Sequence, residues 1–462
     1  MKSLEIERRF LLIPLRVKRL LKSLNIEYSA KRVEQYYLKS KDEAIRYRKI
    51  DNRFIKTIKR GYGLVREEIE NRVSEDEYNL FLLQKDGKII KKIRYTCQMD
   101  GFSLEIDEFK GHLKGLVILE VEFSSKEKAN SYNLPKIFEP YLVSEITGIE
   151  KFSNKSLSKS IFIPSIDSEI KLNNLDGKNS KLLLDYNPYN SLDSVLKGAI
   201  KTLVTTLKKQ QNSIINDSYD IESLHQIRVS CRKLLSILNN LNCYIKIEKI
   251  DEVLENLKTI ISLTNIFRDL DIFIENFTIY RFMLKSEDRE HIDRLKSDLK
   301  AKREHMQERL NIIIDSPLFN KTLNYLNEIA SSDEGILCNV DIPIYTAYEE
   351  TIAKMENSFL ISFKKINKKS KPKELHKVRI QAKNMRYILE FFKPLVINYD
   401  EVSNEYTKIQ KQLGLLQDLT FEIEHLESIK DSKNQDAIKR LQKLLKDKYK
   451  SKKREFFKSI SG

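Results

Sequence analysis

Tryptophan is absent from this 462-residue chain, and glycine occurs only 12 times. With neither a GxGxxG nor a GxxxxGKS stretch, the glycine-rich loops that cradle nucleotide phosphates are excluded. Four cysteines, Cys97, Cys231, Cys243 and Cys338, show no metal-ligand spacing and no disulfide framework. Reduced thiols of a cytosolic protein are expected. No apolar run approaches the ~20 residues that span a bilayer, and the opening MKSLEIERRF is too charged for a signal peptide. The expected location is cytoplasmic, with no membrane partner.

Charge is plentiful and unbalanced. Lys and Arg number 83 against 67 Asp and Glu, a net charge of +16. That excess favours acidic partners such as nucleic acid or polyphosphates. The 21 Tyr and 21 Phe would allow RNA binding, but no RNP or GXXG pattern appears, so nucleic acid is not the expected partner.

The periodicity divides the chain. To about residue 160 it is mainly two, with strand candidates SLEIERRFLL, VEQYYLKS, AIRYRKID, RFIKTIKRG, VREEIENRV, KKIRYTCQM, FSLEIDEF and LVILEVEF. Eight strands in meander order predict a closed or nearly closed antiparallel barrel over 1–160. Residues 161–189, rich in Ser, Asn, Lys and Asp, are expected to be a linker. From 190 to 462 the period becomes 3.6, predicting an all-α bundle. The expected class is therefore α+β multidomain.

The helical part carries an internal repeat, about 190–330 and 340–462. LHQIRVSCRKLLSIL begins at Leu224 and LHKVRIQAKNMRYIL at Leu375. At about 100° per residue, His225, Arg228 and Arg232 share one face, opposite Leu224, Ile227, Cys231, Leu234 and Leu238. His376, Arg379, Lys383 and Arg386 repeat the basic stripe, opposite Leu375, Val378, Ala382, Met385 and Leu389. A solvated face normally mixes signs. These stripes do not, so each helix is expected to present a cationic ridge outward to an anion.

In the strands, charges alternate with apolar residues. Glu5, Glu7 and Arg9 share a face, as do Arg46 and Arg48, Glu105 and Asp107, and Glu120 and Glu122. Arg66, Glu68, Glu70 and Arg72 continue the pattern, and Arg94 has a basic neighbour at Lys92. Solvent faces rarely carry so many paired carboxylates and guanidiniums. Turned inward they would line a wide, wet, charged lumen whose burial requires partners. Mg²⁺ or Mn²⁺ suits the carboxylates and phosphate oxygens suit the cations.

These motifs resemble a known family. EIERRF is similar to the ExExK signature of the CYTH, or triphosphate tunnel, superfamily. IRYRK, TIKRGYGLVREEIE, LEIDEFKG, LEVEF and EITGIEKFSNKSL follow in that family's order. The helical part resembles a CHAD domain, its two His/Arg helices followed by NIFRDLDIF and LGLLQDLTF. The resemblance implies an eight-stranded tunnel that hydrolyses inorganic triphosphate, or a related triphosphate, with Mg²⁺ or Mn²⁺. It implies metal ligands at Glu5, Glu7, Asp107, Glu120 and Glu122, and catalytic roles for Glu5, Glu7 and Arg9. It implies phosphate grips at Arg46, Arg48, Lys59, Arg66 and Arg94. For the helical part it implies binding of inorganic polyphosphate by His225, Arg228, Arg232, Lys233, His376, Arg379, Lys383 and Arg386, and association with polyphosphate granules. The chain departs from the signature at Arg9, which stands where the motif has Lys and lacks its compact point charge. The competing readings are a non-catalytic polyphosphate scaffold or sensor, a class IV-type adenylate cyclase, and an RNA-binding protein. Asp269 and Asp418 are expected to pair with a basic ridge or cap a turn, with a role as surface ligands the alternative.

Overall fold

The computed structural model describes residues 2–40, 44–60, 65–166, 168–173, 180–216, 221–338, 342–429 and 435–460. Side chains are described for all of these except 2–5, 59–60 and 65–68. The chain divides into two compact units. The first holds residues up to Ser168 with Asn187–Leu192 and Asp341–Thr346; the second holds the remainder.

Nine strands make the sheet of the first unit: β1 Lys2–Leu12, β2 Ser29–Tyr37, β3 Ala44–Ile50, β4 Arg53–Arg60, β5 Val65–Arg72, β6 Ile90–Met99, β7 Phe102–Lys110, β8 Val117–Phe123 and β9 Leu142–Glu145. The order is β5-β4-β3-β2-β6-β7-β8-β1-β9, all pairs antiparallel, and β1 also pairs with β5. β1 through β8 therefore form a continuous hydrogen-bonded circuit. β9, short and unlike a strand in sequence, adds to the β5 edge of β1 at Phe10–Leu12. The type of turn fits its sequence at Asp100-Gly101, where both residues have positive φ (50° and 78°) and join β6 to β7 as a type I′ hairpin.

Helices cover the apolar outer face of the sheet. Phe10, Leu12, Tyr95, Leu104, Ile106, Val117, Leu119 and Val121 pack with Val17, Leu20 and Leu21 of α1 (Val17–Ser23) and Ala129 of α3 (Lys126–Ser131). Tyr36 and Tyr47 stack beneath α2 (Glu75–Leu82), against Tyr78. That cover answers why the apolar rows face outward: helices, not solvent, receive them.

The opposite face is charged only along part of its length. Toward one end it becomes apolar, with Leu11, Tyr37, Ile90, Phe109 and Ile118 buried against Ile146, Phe152 and Leu157. Leu157 belongs to α4 (Asn154–Lys159). Lys88 N donates to Ser158 O at 2.6 Å. Gly87 lies so close to α4 that a Cβ there would stand 2.6 Å from Ser158 O, so only glycine fits, and its φ is +100°. The wet, fully charged lumen expected from alternation is thus a charged stretch above an apolar plug.

The stretch 161–189, read as a linker, carries buried Ile163, Leu182, Leu184, Tyr186 and Tyr189. Two-residue strands β10 (Lys171–Leu172) and β11 (Leu184–Asp185) pair within it. The second unit is helical: α5 Leu192–Asn216, α6 Ile221–Asn240, α7 Ile250–Leu263, α8 Asn265–Met283, α9 Ser286–His305, α10 Gln307–Ile314, α11 Pro317–Ser331, α12 Ile344–Lys365, α13 Pro372–Phe391, α14 Tyr399–Ser428 and α15 Gln435–Ser459. The repeated helices are α6 and α13. Their apolar stripes are buried as the 3.6-residue period requires. No described helix is long and apolar enough to cross a membrane.

Two candidate anion sites

Register fixes which strand residues share the inner face, because directly opposed residues point the same way. Arg9 faces Glu120, which faces Glu105; Glu7 faces Glu122; Arg94 faces Asp107. Arg46 faces Thr57, which faces Glu70, and Arg48 faces Gln35. Glu5 is registered opposite Arg66, and Lys59 opposite Glu68. The side chains of Glu5, Lys59 and Arg66 lie outside the described residues.

Six groups interlock on the floor, above the plug. Arg94 Nε donates to Asp107 Oδ1 at 2.8 Å, and its Nη2 donates to Asp107 Oδ2 at 2.7 Å and Glu120 Oε2 at 2.8 Å. Its Nη1 reaches Glu105, and Lys92 donates to Asp107. Arg9 Nε donates to Glu120 Oε1 at 2.9 Å and its Nη1 to the Phe152 carbonyl at 3.1 Å. Three carboxylates thus meet three cations. Burial favours the neutral carboxyl of Asp107 and of Glu120, but the neighbouring cations outweigh it and hold both below the usual carboxylate range. Glu105 goes the other way: burial outweighs Arg94 and raises it. Burial also brings Lys92 down to about 8, despite Asp107.

The floor leaves little for a metal. Both oxygens of Asp107 and of Glu120 already accept from guanidinium or ammonium, so these two expected ligands do not fit a cation in this arrangement. No group of three or more His, Cys, Asp or Glu suited to a metal occurs among the described residues. Glu7 and Glu122 are directly opposed on one face, a pairing that repels unless cations neutralise it. Arg9 feels the charge of Glu7, and the two carboxylates, Glu122 exposed and Glu7 half-buried, have the oxygen-donor chemistry that suits a divalent cation. Nearby, Arg48 Nη2 donates to Glu70 at 3.3 Å and Arg46 Nη2 to Thr57 Oγ1 at 3.4 Å. Sequence reading passed over Lys92 and Glu105 as site residues; alternation with Arg94 and Asp107 was the available signal.

In the helical unit the basic stripes do not point outward to solvent. Arg228 and Arg232 of α6 and His376 and Arg379 of α13 line one cavity of about 240 Å³ with Asn265 and Asp269 of α8 and Gln417 and Asp418 of α14. A helical wheel treats each helix as having one solvent side. Here α6 and α13 pack together, Ser236 Oγ donating to Asn384 O at 3.4 Å, and their polar sides converge. Arg228 is only 2% exposed. Its Nη1 donates to Ile261 O and Thr264 Oγ1 at 2.8 and 2.7 Å, and its Nη2 to Asn265 Oδ1 at 2.6 Å. A side chain at Gly414 would stand 3.3 Å from Arg379 Nε, so glycine leaves Arg379 room against α14.

Other members of the stripes are placed differently. Lys233 is buried and donates to Ser180 O at 2.7 Å and Glu390 Oε1 at 2.6 Å, which gives it a packing role rather than an outward one. Arg386 Nη1 donates to Gln410 Oε1 at 2.5 Å. His225 is half-buried and is not part of the cavity wall. Burial, then Arg268, lowers its pKa, and burial, then Arg379, lowers that of His376. Burial, then Arg232 and Arg379, brings Lys383 down to about 6, and burial, then Arg232, brings Arg228 to about 9. Buried side-chain nitrogens without a partner include Arg228 Nε, His376 Nδ1 and Arg379 Nε. Among the described residues Asp269 and Asp418 form no ion pair with a ridge; they line the cavity together with Arg228, Arg232 and Arg379. The four cysteines are free thiols, with Cys231 in the core.

The CHAD domain family matches residues 198–455, more than half of the chain. The chain belongs to the CHAD family. The CHAD domain is preceded by a unit of CYTH type. That unit is 31% identical over 138 residues to an inorganic triphosphatase of Nitrosomonas europaea, covering 29% of this chain and 89% of that protein. It is 32% identical over 126 residues to an inorganic triphosphatase of Acetivibrio thermocellus, covering 27% of this chain and 77% of that one. A crystal structure of the CHAD domain from the plant Ricinus communis is 16% identical, covers 55% of this chain and 85% of its own, and has a TM-score of 0.47.

Proposed function

We propose that the CYTH-type unit hydrolyses inorganic triphosphate with a divalent metal ion, Mg²⁺ or Mn²⁺, and that the CHAD domain binds inorganic polyphosphate. The observation that carries the first half is the shared inner face of Glu7, Arg9, Arg46, Arg48, Arg94 and Glu122, in a unit related to two inorganic triphosphatases. Glu7 and Glu122, with Glu5, would hold the metal, which supplies charge neutralisation at phosphate oxygens and an oriented water. Arg46 and Arg48, with Lys59 and Arg66, would grip the phosphates and stabilise charge on the leaving group. Arg9 and Arg94 keep the floor carboxylates fixed, so Arg9 acts as a positioning residue for Glu120. For the CHAD domain, the convergence of Arg228, Arg232 and Arg379 with unpartnered donors supports one anion site built by both repeats.

The test is orthophosphate release from inorganic triphosphate, with and without Mg²⁺ or Mn²⁺, in the full chain and in Glu5→Gln/Glu7→Gln. The expected result is metal-dependent release that falls at least ~100-fold in the double variant, in line with removal of a transition-state charge contact. Salt-sensitive retention of polyphosphate with no release would leave the scaffold reading. Cyclic AMP from ATP would favour the cyclase.

A further inference from the structure

The CHAD cavity contains carboxylates that a site for bare anions would avoid. Asp269 and Asp418 form part of its wall with Arg228, Arg232 and Arg379. Each lies C-terminal to the basic helix of its repeat, Asp269 on α8 after α6 and α7, and Asp418 on α14 directly after α13. Neither forms a hydrogen bond or ion pair among the described residues, and no local turn or cap uses them. Burial raises the proton affinity of both, which makes each carboxylate a stronger hydrogen-bond acceptor. On the cationic side, Arg228 is 2% exposed and its Nε has no partner, and Arg379 Nε is likewise unpartnered. The cavity therefore offers donors and carboxylate acceptors together in about 240 Å³, roughly eight water volumes.

An ionised carboxylate can only accept a hydrogen bond. It repels a bare phosphate or sulfate oxygen and binds one that carries a proton. Orthophosphate near neutral pH keeps at least one proton; a terminal phosphate, with a second ionisation near pH ~6, is mostly ionised there and takes one up from solvent when it binds beside a carboxylate. Internal phosphates of a polyphosphate chain and sulfate carry none. We propose that this cavity recognises a proton-bearing phosphate group, orthophosphate or the end of a polyphosphate chain, through the guanidiniums of Arg228, Arg232 and Arg379 and acceptance of its P–OH by Asp269 or Asp418. The inference rests on the reading of the CHAD domain as a phosphate binder and adds its specificity: chain ends rather than chain interiors.

The experiment is calorimetric titration of the full chain with orthophosphate and with sulfate at pH 7 and equal ionic strength. Arg379→Ala defines which part of the signal belongs to the cavity. The expected result is a cavity component that prefers orthophosphate at least ~10-fold, a modest fraction of what sites built to bond a hydroxyl achieve. In Asp269→Asn/Asp418→Asn, sulfate binding should strengthen while the preference collapses toward parity. Equal binding of the two anions by the unmodified chain overturns the proposal and needs no variant to fold. Strengthening of both anions to the same extent in the double variant overturns it too, since the carboxylates would then act only as charge. No difference between the unmodified chain and Arg379→Ala, for orthophosphate or long polyphosphate, would instead overturn the phosphate-binding reading beneath it.

Discussion

The floor of the CYTH-type unit and the cavity of the CHAD domain contain similar residues in opposite electrical states. On the floor, Arg9, Lys92 and Arg94 meet Glu105, Asp107 and Glu120 in direct contact, so the charge is already neutralised within the protein. In the cavity, Arg228, Arg232 and Arg379 converge with their carboxylates at a distance, and nearby Lys383 is driven down to about 6. A neutralised network holds geometry; a cluster with surplus charge and idle donors is suited to a ligand. Counting charges along the sequence cannot separate the two, because both present Arg with Asp or Glu at regular spacing.

The largest expected effect breaks the floor. Arg94→Ala leaves Asp107, which is fully buried, with Lys92 alone and takes one of two cations from Glu120. Removing one partner of a buried pair costs about 3–5 kcal/mol, read as a lowered denaturant midpoint. The cavity should behave oppositely. Lys383→Met removes an ammonium that burial and Arg232 disfavour, so stability should be unchanged or higher. The sign of its pH dependence follows. The folded-state pKa of Lys383 is about 6 against an ordinary value of 10.5, so the unfolded chain binds more protons across that window and stability contributed by this group rises with pH. The advantage of Lys383→Met over the unmodified chain should therefore be larger at pH 6.5 than at pH 9. A constant difference would mean that Lys383 is ordinary.

Much of the fold was legible. Period two in KKIRYTCQM and FSLEIDEF, with Asp100-Gly101 between them, gives strands, hairpin and register together. Period 3.6 in the two repeated helices gives their buried stripes, Leu224 to Leu238 and Leu375 to Leu389. Inward orientation of the charges was legible because they recur on so many strands. The plug was not, since Phe152 and Leu157 sit in a Ser- and Lys-rich segment and become core only when they meet Leu11 and Phe109. Nor was the convergence of the basic ridges, which depends on how α6 and α13 pack. The pairing of Asp107 and Glu120 with Arg9, Lys92 and Arg94 was equally hidden, because register across strands decides it.

The division between a self-neutralised floor and a metal site proposed at Glu7 and Glu122 is the centre of this account. The most direct measurement is the initial rate of orthophosphate release from inorganic triphosphate as a function of Mn²⁺, in the full chain and in Glu122→Gln. The account predicts no release in chelator and a Mn²⁺ requirement at least ~10-fold higher in Glu122→Gln, the scale on which loss of a group supporting a metal is felt. An unchanged Mn²⁺ requirement in Glu122→Gln, or full release in chelator, would contradict it.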